Sequence, residues 1–549
     1  MNLEGGKVPK LGKRAQSLLN SQKENQEYES KQPQTADEFL DQGAIDEESG
    51  DRWLGSDLAK ALRFYQKAYN QYLMAIKLSP NSTLDSYYNA SRLLFHVYNQ
   101  YFKTDGVSVY DLNNVEDAIS GGEDSVVQNL SEIVNAHEKA IDVANSLNVR
   151  IPLDLLFNTA LVYTEVIEIQ QENDNDNFEP VLEYGYKTQG IFQNLIELQT
   201  TELQKFINDL NEITNNSSST NNNSTSSSND TSPQEEEFTS EEVLQPPDVF
   251  ETIISAYRLT QAVLENISDS NSQLVRSLDM INPFLSTCEA VADDLILNFG
   301  ERNNKKSDMI SSITQDNVDD YLICKTYIKG LAINDFSKVY ELWNSDELPH
   351  TPERYMLAAD NIQTMIDRND INLNSANSNQ TIAEFYWKAL TQMGNYYKQS
   401  QELLNTLLIE KKKKPSGTDD GIGTIISQIS NIIIARSDID LQRSQLQNYE
   451  PALKHKDVLF QNCKTFLKNA MNISNTTGGL RERITEKLQR EKRKAEAVMR
   501  LCMLENKSSL QELDSILGRQ KWTAELPNLS KLGYFEAFGI SNIVLPTDF

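Results

Sequence analysis

Apolar residues recur at intervals of three and four along most of this chain, with little alternation of period two. That period leaves α-helix as the regular structure most of it can build. Ile422, Ile425, Ile426, Ile429, Ile432 and Ile433 make one such stripe; Phe250, Ile253 or Ile254, Tyr257 and Leu264 make another. No run approaches the roughly 18 apolar residues of a spanning helix. The opening MNLEGGKVPKLGKRAQSLL lacks the apolar run of a signal peptide. The expectation is an all-α protein without a membrane partner, cytoplasmic and/or nuclear.

Breaks in the period set the domain boundaries. Residues 1–50 are polar, basic at the start and acidic near Asp46, Glu47 and Glu48, and are expected as a disordered tail. Helical repeats follow over 51–212, with a loop near 104–123 and a short acidic turn at 172–180. Residues 213–244 are a Ser/Asn-rich insertion whose core, TNNSSSTNNNSTSSSND, has no large apolar residue to offset the entropy of ordering. A second helical repeat segment spans 245–410. KKKKPSGTDDGIG marks an exposed loop at 411–423, C-terminal helices fill 424–520, and 521–549 is expected as an irregular capping tail. Within 424–520 one long charged helix is expected from about Leu480 to Glu512.

The formal net charge of −29 argues against direct binding to nucleic acid, whose phosphates it repels, and favours a basic protein partner. The charge is uneven: residues 451–500 carry 12 Lys and Arg against 5 Asp and Glu. A basic helix in an acidic chain is either a solvated face or a docking element, for the acidic remainder of the chain or for an acidic partner. KKKK at 411–414 reads as a charged loop or as a nuclear import signal.

Chemistry-bearing patterns are few. Cys288, Cys324, Cys463 and Cys502 are far apart, as are His96, His137, His350 and His455, so neither a metal site nor a disulfide frame is expected. Phosphate-loop, dinucleotide, zinc-protease and nucleophile-elbow motifs are absent. Carboxylate pairs such as Asp293–Asp294 are adjacent, and adjacent side chains on a helix do not face each other. No catalytic residue, metal or cofactor is assigned.

One stretch carries more. In YQKAYNQYLMAIKLSP, residues 65–80, Ala68, Tyr72, Ala75 and Pro80 stand at spacings of four, three and five. Small residues let two helices approach, an aromatic fills the space between them, and Pro ends the second helix. A 34-residue repeat then asks for a small residue 22 positions after Ala68, and Ala90 stands there. Residues 56–98 thus resemble a tetratricopeptide repeat and the start of another. Further along, Met393, Gly394 and Tyr397 are similar to the family's Leu-Gly-x-x-Tyr pattern. The family's tryptophan is missing at both places, and no clean 34-residue period runs through residues 100–400.

The resemblance implies a right-handed solenoid of helical hairpins with a C-terminal helical extension, whose concave groove binds protein. It also implies candidate groove positions on first helices. Aligning Gly394 gives Asn395, with Lys398 beside it; aligning Ala90 gives Tyr87 and Ser91. A carboxylate clamp is incomplete, because Thr391 stands where the family uses Lys. The expected function is a non-enzymatic adaptor, or an acidic dedicated chaperone or assembly factor for a basic client. The alternative is a scaffold subunit of a stable complex.

Overall fold

The computed structural model describes residues 33–80, 84–172, 178–218, 243–267, 272–302, 309–414 and 421–543. Helices account for the regular structure, and the β-pairing among the described residues is one isolated bridge between Gly300 and Ile313. The expected all-α class is what the chain adopts.

The first three helices are α1 (Ala36–Leu54), α2 (Leu58–Leu78) and α3 (Leu84–Tyr98). A short α4 (Glu116–Ile119) precedes α5 (Leu130–Ser146), α6 (Leu153–Glu172) and the 40-residue α7 (Glu179–Ser218). Next come α8 (Pro246–Glu265), α9 (Ser272–Phe299), α10 (Gln315–Leu331), α11 (Phe336–Trp343), α12 (Pro352–Arg368), α13 (Leu373–Ser378) and α14 (Gln380–Lys413). The last group is α15 (Ile422–Ser444), α16 (Glu450–Ser474), α17 (Ile484–Leu504), α18 (Leu510–Ile516) and α19 (Arg519–Ser530). Neighbours in sequence are mostly neighbours in space: α1 packs on α2, α2 on α3, α6 on α7, α7 on α8, α12 on α14, α14 on α15 and α15 on α16.

Helix α1 corrects the expected tail. Residues 1–32 lie outside the described residues, but Ala36–Leu54 is helical and starts at a Thr35–Glu38 capping box. Its glycines make it a poor helix former in isolation, and they are also why it packs. A Cβ on Gly43 would come 2.6 Å from Cδ1 of Tyr72, and one on Gly50 would come 2.6 Å from Cδ1 of Tyr65. Both pairs are seven residues apart on their own helices. Two tyrosine rings of α2 therefore lie directly on the α1 backbone.

Their hydroxyls continue the contact. Tyr72 donates to Glu47 at 2.8 Å, and Glu47 also accepts from Arg92 of α3 at 2.6 Å. One step along, Tyr65 donates to Asp51 at 2.7 Å, and His96 of α3 lies 3.3 Å from the same hydroxyl. The i, i+4 spacing of 47/51 and of 92/96 gives two parallel rungs across three helices.

Ala68, Tyr72 and Ala75 are buried on α2 and Ala90 on α3, while Pro80 is exposed in the turn after α2. The repeat phase itself does not organise the hairpins. The 34-residue step back from Ala90 reaches Ser56, which lies in the turn between α1 and α2. Helix α2 runs unbroken for 21 residues, and its hairpin partner lies upstream, in α1.

Four further boundaries differ from expectation. Helix α7 runs to Ser218, into the expected insertion, of which 219–242 lies outside the described residues. Helix α14 carries Lys411, Lys412 and Lys413 in its last turn, where cations suit the negative end of the helix dipole; 415–420 lies outside the described residues. The tail begins as helix α19 and continues through 3-10 turns at Gly533–Phe538 and Ile540–Asn542, burying Trp522, Phe535 and Ile540; 544–549 is again outside the described residues. The charged helix stops at Leu504, with Asn506 at φ 56, short of the expected Glu512.

The basic helix α17 docks on the start of its own chain. Ile484 N–H donates to Gly55 O at 2.9 Å. Ile484 and Leu488 pack against the N-terminal core, and Asp105 binds Lys492 at 2.7 Å together with Arg493. Gly106 has φ +79, and a Cβ there would lie 2.6 Å from Leu488 O, so only glycine lets the loop this close. Gln520 of α19 reaches Asp111 at 2.6 Å. Packing that begins at α1 returns to it.

Candidate functional site

The expected groove residues are not brought together. Tyr87 and Ser91 are on α3, Asn395 and Lys398 on α14, and among the described residues no hydrogen bond or ion pair joins the two pairs. Ser91 is fully buried and donates to Tyr88 O at 2.9 Å, so it cannot line an open groove. The cause is that α3 is packed by α2 on one side and by α5 and α6 on others, which leaves few of its positions facing water. Tyr87 is half-buried, with its hydroxyl 3.4 Å from Pro80 O. Asn395 and Lys398 are exposed, and Lys398 pairs loosely with Glu402 at 3.9 Å. A Cβ on Gly394 would lie an ordinary 3.8 Å from Ile439 Cγ2, and Tyr397 donates to Asp360 at 3.4 Å.

Asp360 is a buried carboxyl whose pKa is pushed up to about 7 by burial and then by the charge of Glu265. Glu265 accepts from Tyr327 at 2.6 Å, so tyrosines hold both acids inside the packed helices. Such a network specifies packing. The cysteines are all free; burial pushes the Cys288 and Cys463 thiols up to about 12, far from reactive thiolates. Among the described residues no cluster of three or more His, Cys, Asp or Glu could hold a metal, and no helix is long and apolar enough to cross a membrane.

The clefts differ in charge. One of 760 Å³ lies between α2 and the 114–124 strap, where Arg63, Lys67 and Lys77 face Glu116, Asp117 and Asp124. Its two walls compensate each other. Another, of 720 Å³, is single-signed: Asp154, Glu202, Asp248 and Glu251 line it, and no cation does. Its volume falls in the ~300–1,000 Å³ range of ligand pockets.

Three helices build this acidic cleft. Pro152, Leu153, Asp154 and Phe157 come from the start of α6, Gln199 and Glu202 from α7, and Leu244, Gln245, Asp248 and Glu251 from the start of α8. Two acids have local work. Asp248 closes the capping box of α8 with Gln245 N–H at 2.7 Å, and Asp154 is in the first turn of α6, where the helix dipole favours an anion. Glu202 pairs with Arg150, which stands outside the residues lining the cleft. Glu251 lies beyond any capping position, is exposed, and makes no ion pair among the described residues. Phe157 packs edge-on against Phe192 with centroids 6.4 Å apart, and Leu244 and Val243 add apolar surface. Gln199 is 6% exposed, and its Oε1 accepts no hydrogen bond from any described residue. The result is a partly apolar floor under a carboxylate rim.

Sequence reasoning missed this cleft because its walls come from segments 152–157, 199–202 and 243–252, and no local spacing links them. The PPD at 246–248 was legible as a helix start, and it is that start which aims Asp248 and Glu251 at the cleft.

Comparisons place the chain among relatives. The family described as YNL193W C-terminal domain matches residues 347–526, from just before α12 into α19. Over 504 residues the chain is 23% identical to uncharacterized protein YNL193W of Saccharomyces cerevisiae, a match covering 84% of this chain and 88% of the yeast protein. The similarity therefore extends across both the acidic-cleft region and the C-terminal helices, and the relative's printed name carries no activity.

Proposed function

We propose that this protein binds a basic segment of a partner protein in the acidic cleft between α6, α7 and α8, without catalysing a reaction on it. The observation that carries the reading is the single-signed rim of Asp154, Glu202, Asp248 and Glu251 above the Phe157 and Leu244 floor. The net charge of −29 adds long-range attraction for a basic partner. The adjoining sequence EEEFTSEE, residues 235–242, is itself acidic, so charge disfavours it as the occupant.

The hairpin order of α1 to α3, and the burial of Ala68, Tyr72, Ala75 and Ala90, support an array resembling tetratricopeptide proteins. The unbroken α2 is a departure from that pattern. Four free cysteines support a reducing cytoplasmic or nuclear setting.

Fluorescence anisotropy with a Lys/Arg-rich peptide tests the reading. Binding weakens as salt rises, and the D154N/E251Q protein loses about 2- to 30-fold in affinity, at ~0.2–1 kcal/mol for each exposed charge contact. An acidic peptide of equal length does not bind. Equal affinity of both proteins for the basic peptide overturns the assignment. A salt-resistant complex of fixed stoichiometry from cells supports the scaffold alternative instead.

A further inference from the structure

The seam between the two ends of the chain holds a third, open cavity, of 320 Å³, unconnected with the reading above. The loop at 106–111, α17 and α19 form its walls. Val107, Leu488, Ala495 and Ala524 supply apolar surface, and Glu525 lines the space together with Asp111, Glu491, Lys492 and Lys521. Glu525 is 7% exposed, yet it accepts no hydrogen bond and makes no ion pair with any described residue.

That isolation is unusual, because the surroundings are rich in cations. Each of them is held elsewhere. Lys492 and Arg493 bind Asp105, and Arg493 also binds Glu496 at 2.7 Å. Arg500 binds Asp438 at 3.1 Å, and Lys521 lies 3.7 Å from Glu491. Asp111 accepts from Gln520 at 2.6 Å. Glu525 is the acceptor left over. Burial first, and then the charge of Glu496, push its pKa up to about 7, despite Lys492, Arg500 and Arg493 nearby. A buried carboxylate without a hydrogen-bonded partner is costly, and a cation entering the cavity would remove that cost.

We propose that this seam cavity binds a primary ammonium or guanidinium group, received by Glu525. The group comes either from a free polyamine or from a lysine or arginine side chain of a polypeptide. Apolar walls suit the methylene stem of either, and the carboxylate at the end takes the charged head.

The test is calorimetric titration of the full chain with spermidine and, separately, with N-acetyl-Gly-Arg-Gly-amide. Both are run in the D154N/E251Q background, to weaken the acidic cleft. The expected result is saturable 1:1 binding of at least one probe, and whichever binds identifies the source. E525Q, which keeps the shape and removes the charge, loses that binding at least tenfold.

The pH profile of the unaltered seam needs no substitution at Glu525. Protonation of a carboxyl with a pKa of about 7 weakens binding about tenfold between pH 8 and pH 6. The other titratable and charged groups around the seam are Asp105 and Asp111 from the loop, Glu491, Lys492, Arg493, Glu496 and Arg500 from α17, Lys521 from α19 and Asp438 from α15. Of these carboxyls, Glu496 and Asp438 are also shifted upward, both by burial. The profile must therefore flatten in E525Q. Absence of binding by both probes overturns the proposal, as does binding that E525Q leaves unchanged. Binding in the parent chain that D154N/E251Q abolishes also overturns it, and leaves the cleft reading standing.

Discussion

Tyr72 covers Gly43 so closely that a methyl group on the glycine would lie 2.6 Å from the ring carbon Cδ1. The same geometry recurs between Tyr65 and Gly50. Alanine is the better helix former by ~1 kcal/mol in an exposed helix, so propensity and packing pull in opposite directions at these two sites. Packing wins where neither the ring nor the backbone can retreat. Gly43→Ala and Gly50→Ala each destabilise the α1–α2 hairpin by about 1–3 kcal/mol, read as a lower thermal midpoint by circular dichroism. A raised midpoint would show that the rings move aside.

The Glu47 carboxylate serves Tyr72 and Arg92 together. Tyr72→Phe removes one hydrogen bond and costs about 1 kcal/mol. Glu47→Gln costs about 1–3 kcal/mol, because it leaves a half-buried Arg92 without its anion. In a double-mutant cycle, Arg92→Met recovers part of the Glu47→Gln loss. Simple additivity of the two would show that the carboxylate and guanidinium act independently.

His137 is buried on α5 and neutral, with a pKa pushed down to about 4 by burial, while Ile133 O lies 2.8 Å from Nδ1. The unfolded chain binds its proton near pH 6.5 and the folded chain does not. The stability this group contributes is present above pH 6.5 and is lost as pH falls from 6.5 towards 4, by about 3 kcal/mol in all. Across this window Asp360 and Glu525, both raised to about 7, act in the opposite sense, so the test is the difference: on acidification stability falls less, or rises more, in His137→Gln than in the parent chain. An unchanged slope in the variant assigns the pH dependence to other groups.

At the seam, burial raises the Asp105 pKa, but Lys492 and Arg493 outweigh it and hold the carboxyl below the usual range. Its contribution is present at neutral pH and is lost on acidification through that lowered value. Gly106→Ala attacks the same junction without changing charge, since its Cβ would strike Leu488 O. Hydrogen exchange at the backbone of Val107 and Leu488 rises in Gly106→Ala at pH 7 relative to the parent chain. Unchanged protection would mean that the junction tolerates the added carbon.

Much of the helical content was legible because it is local. The isoleucine stripe from Ile422 to Ile433 is a buried helix face, and Ala68, Tyr72 and Ala75 are core positions of one helix. Helix α1 escaped notice because its acids and glycines look like a tail, although Thr35 and Glu38 spell a capping box. Tyr72 revealed its small partner only by position in space: Gly43 is 29 residues upstream, outside any repeat phase tested. Pairings such as Asp105 with Lys492, or Phe157 with Leu244 in one cleft, join distant segments, and single-chain periodicity carries no trace of them. Ser91 shows the reverse error: a helix position inferred from one neighbour is wrong when the helix has three.

The location of a bound partner tests the account most directly. A Lys/Arg-rich peptide carrying one benzophenone group is photo-crosslinked to the full chain, and the product is mapped by mass spectrometry. The account predicts crosslinks at Phe157, Val243 or Leu244, lost at high salt and reduced in D154N/E251Q. Crosslinks confined to other surfaces, or insensitive to both changes, would contradict it.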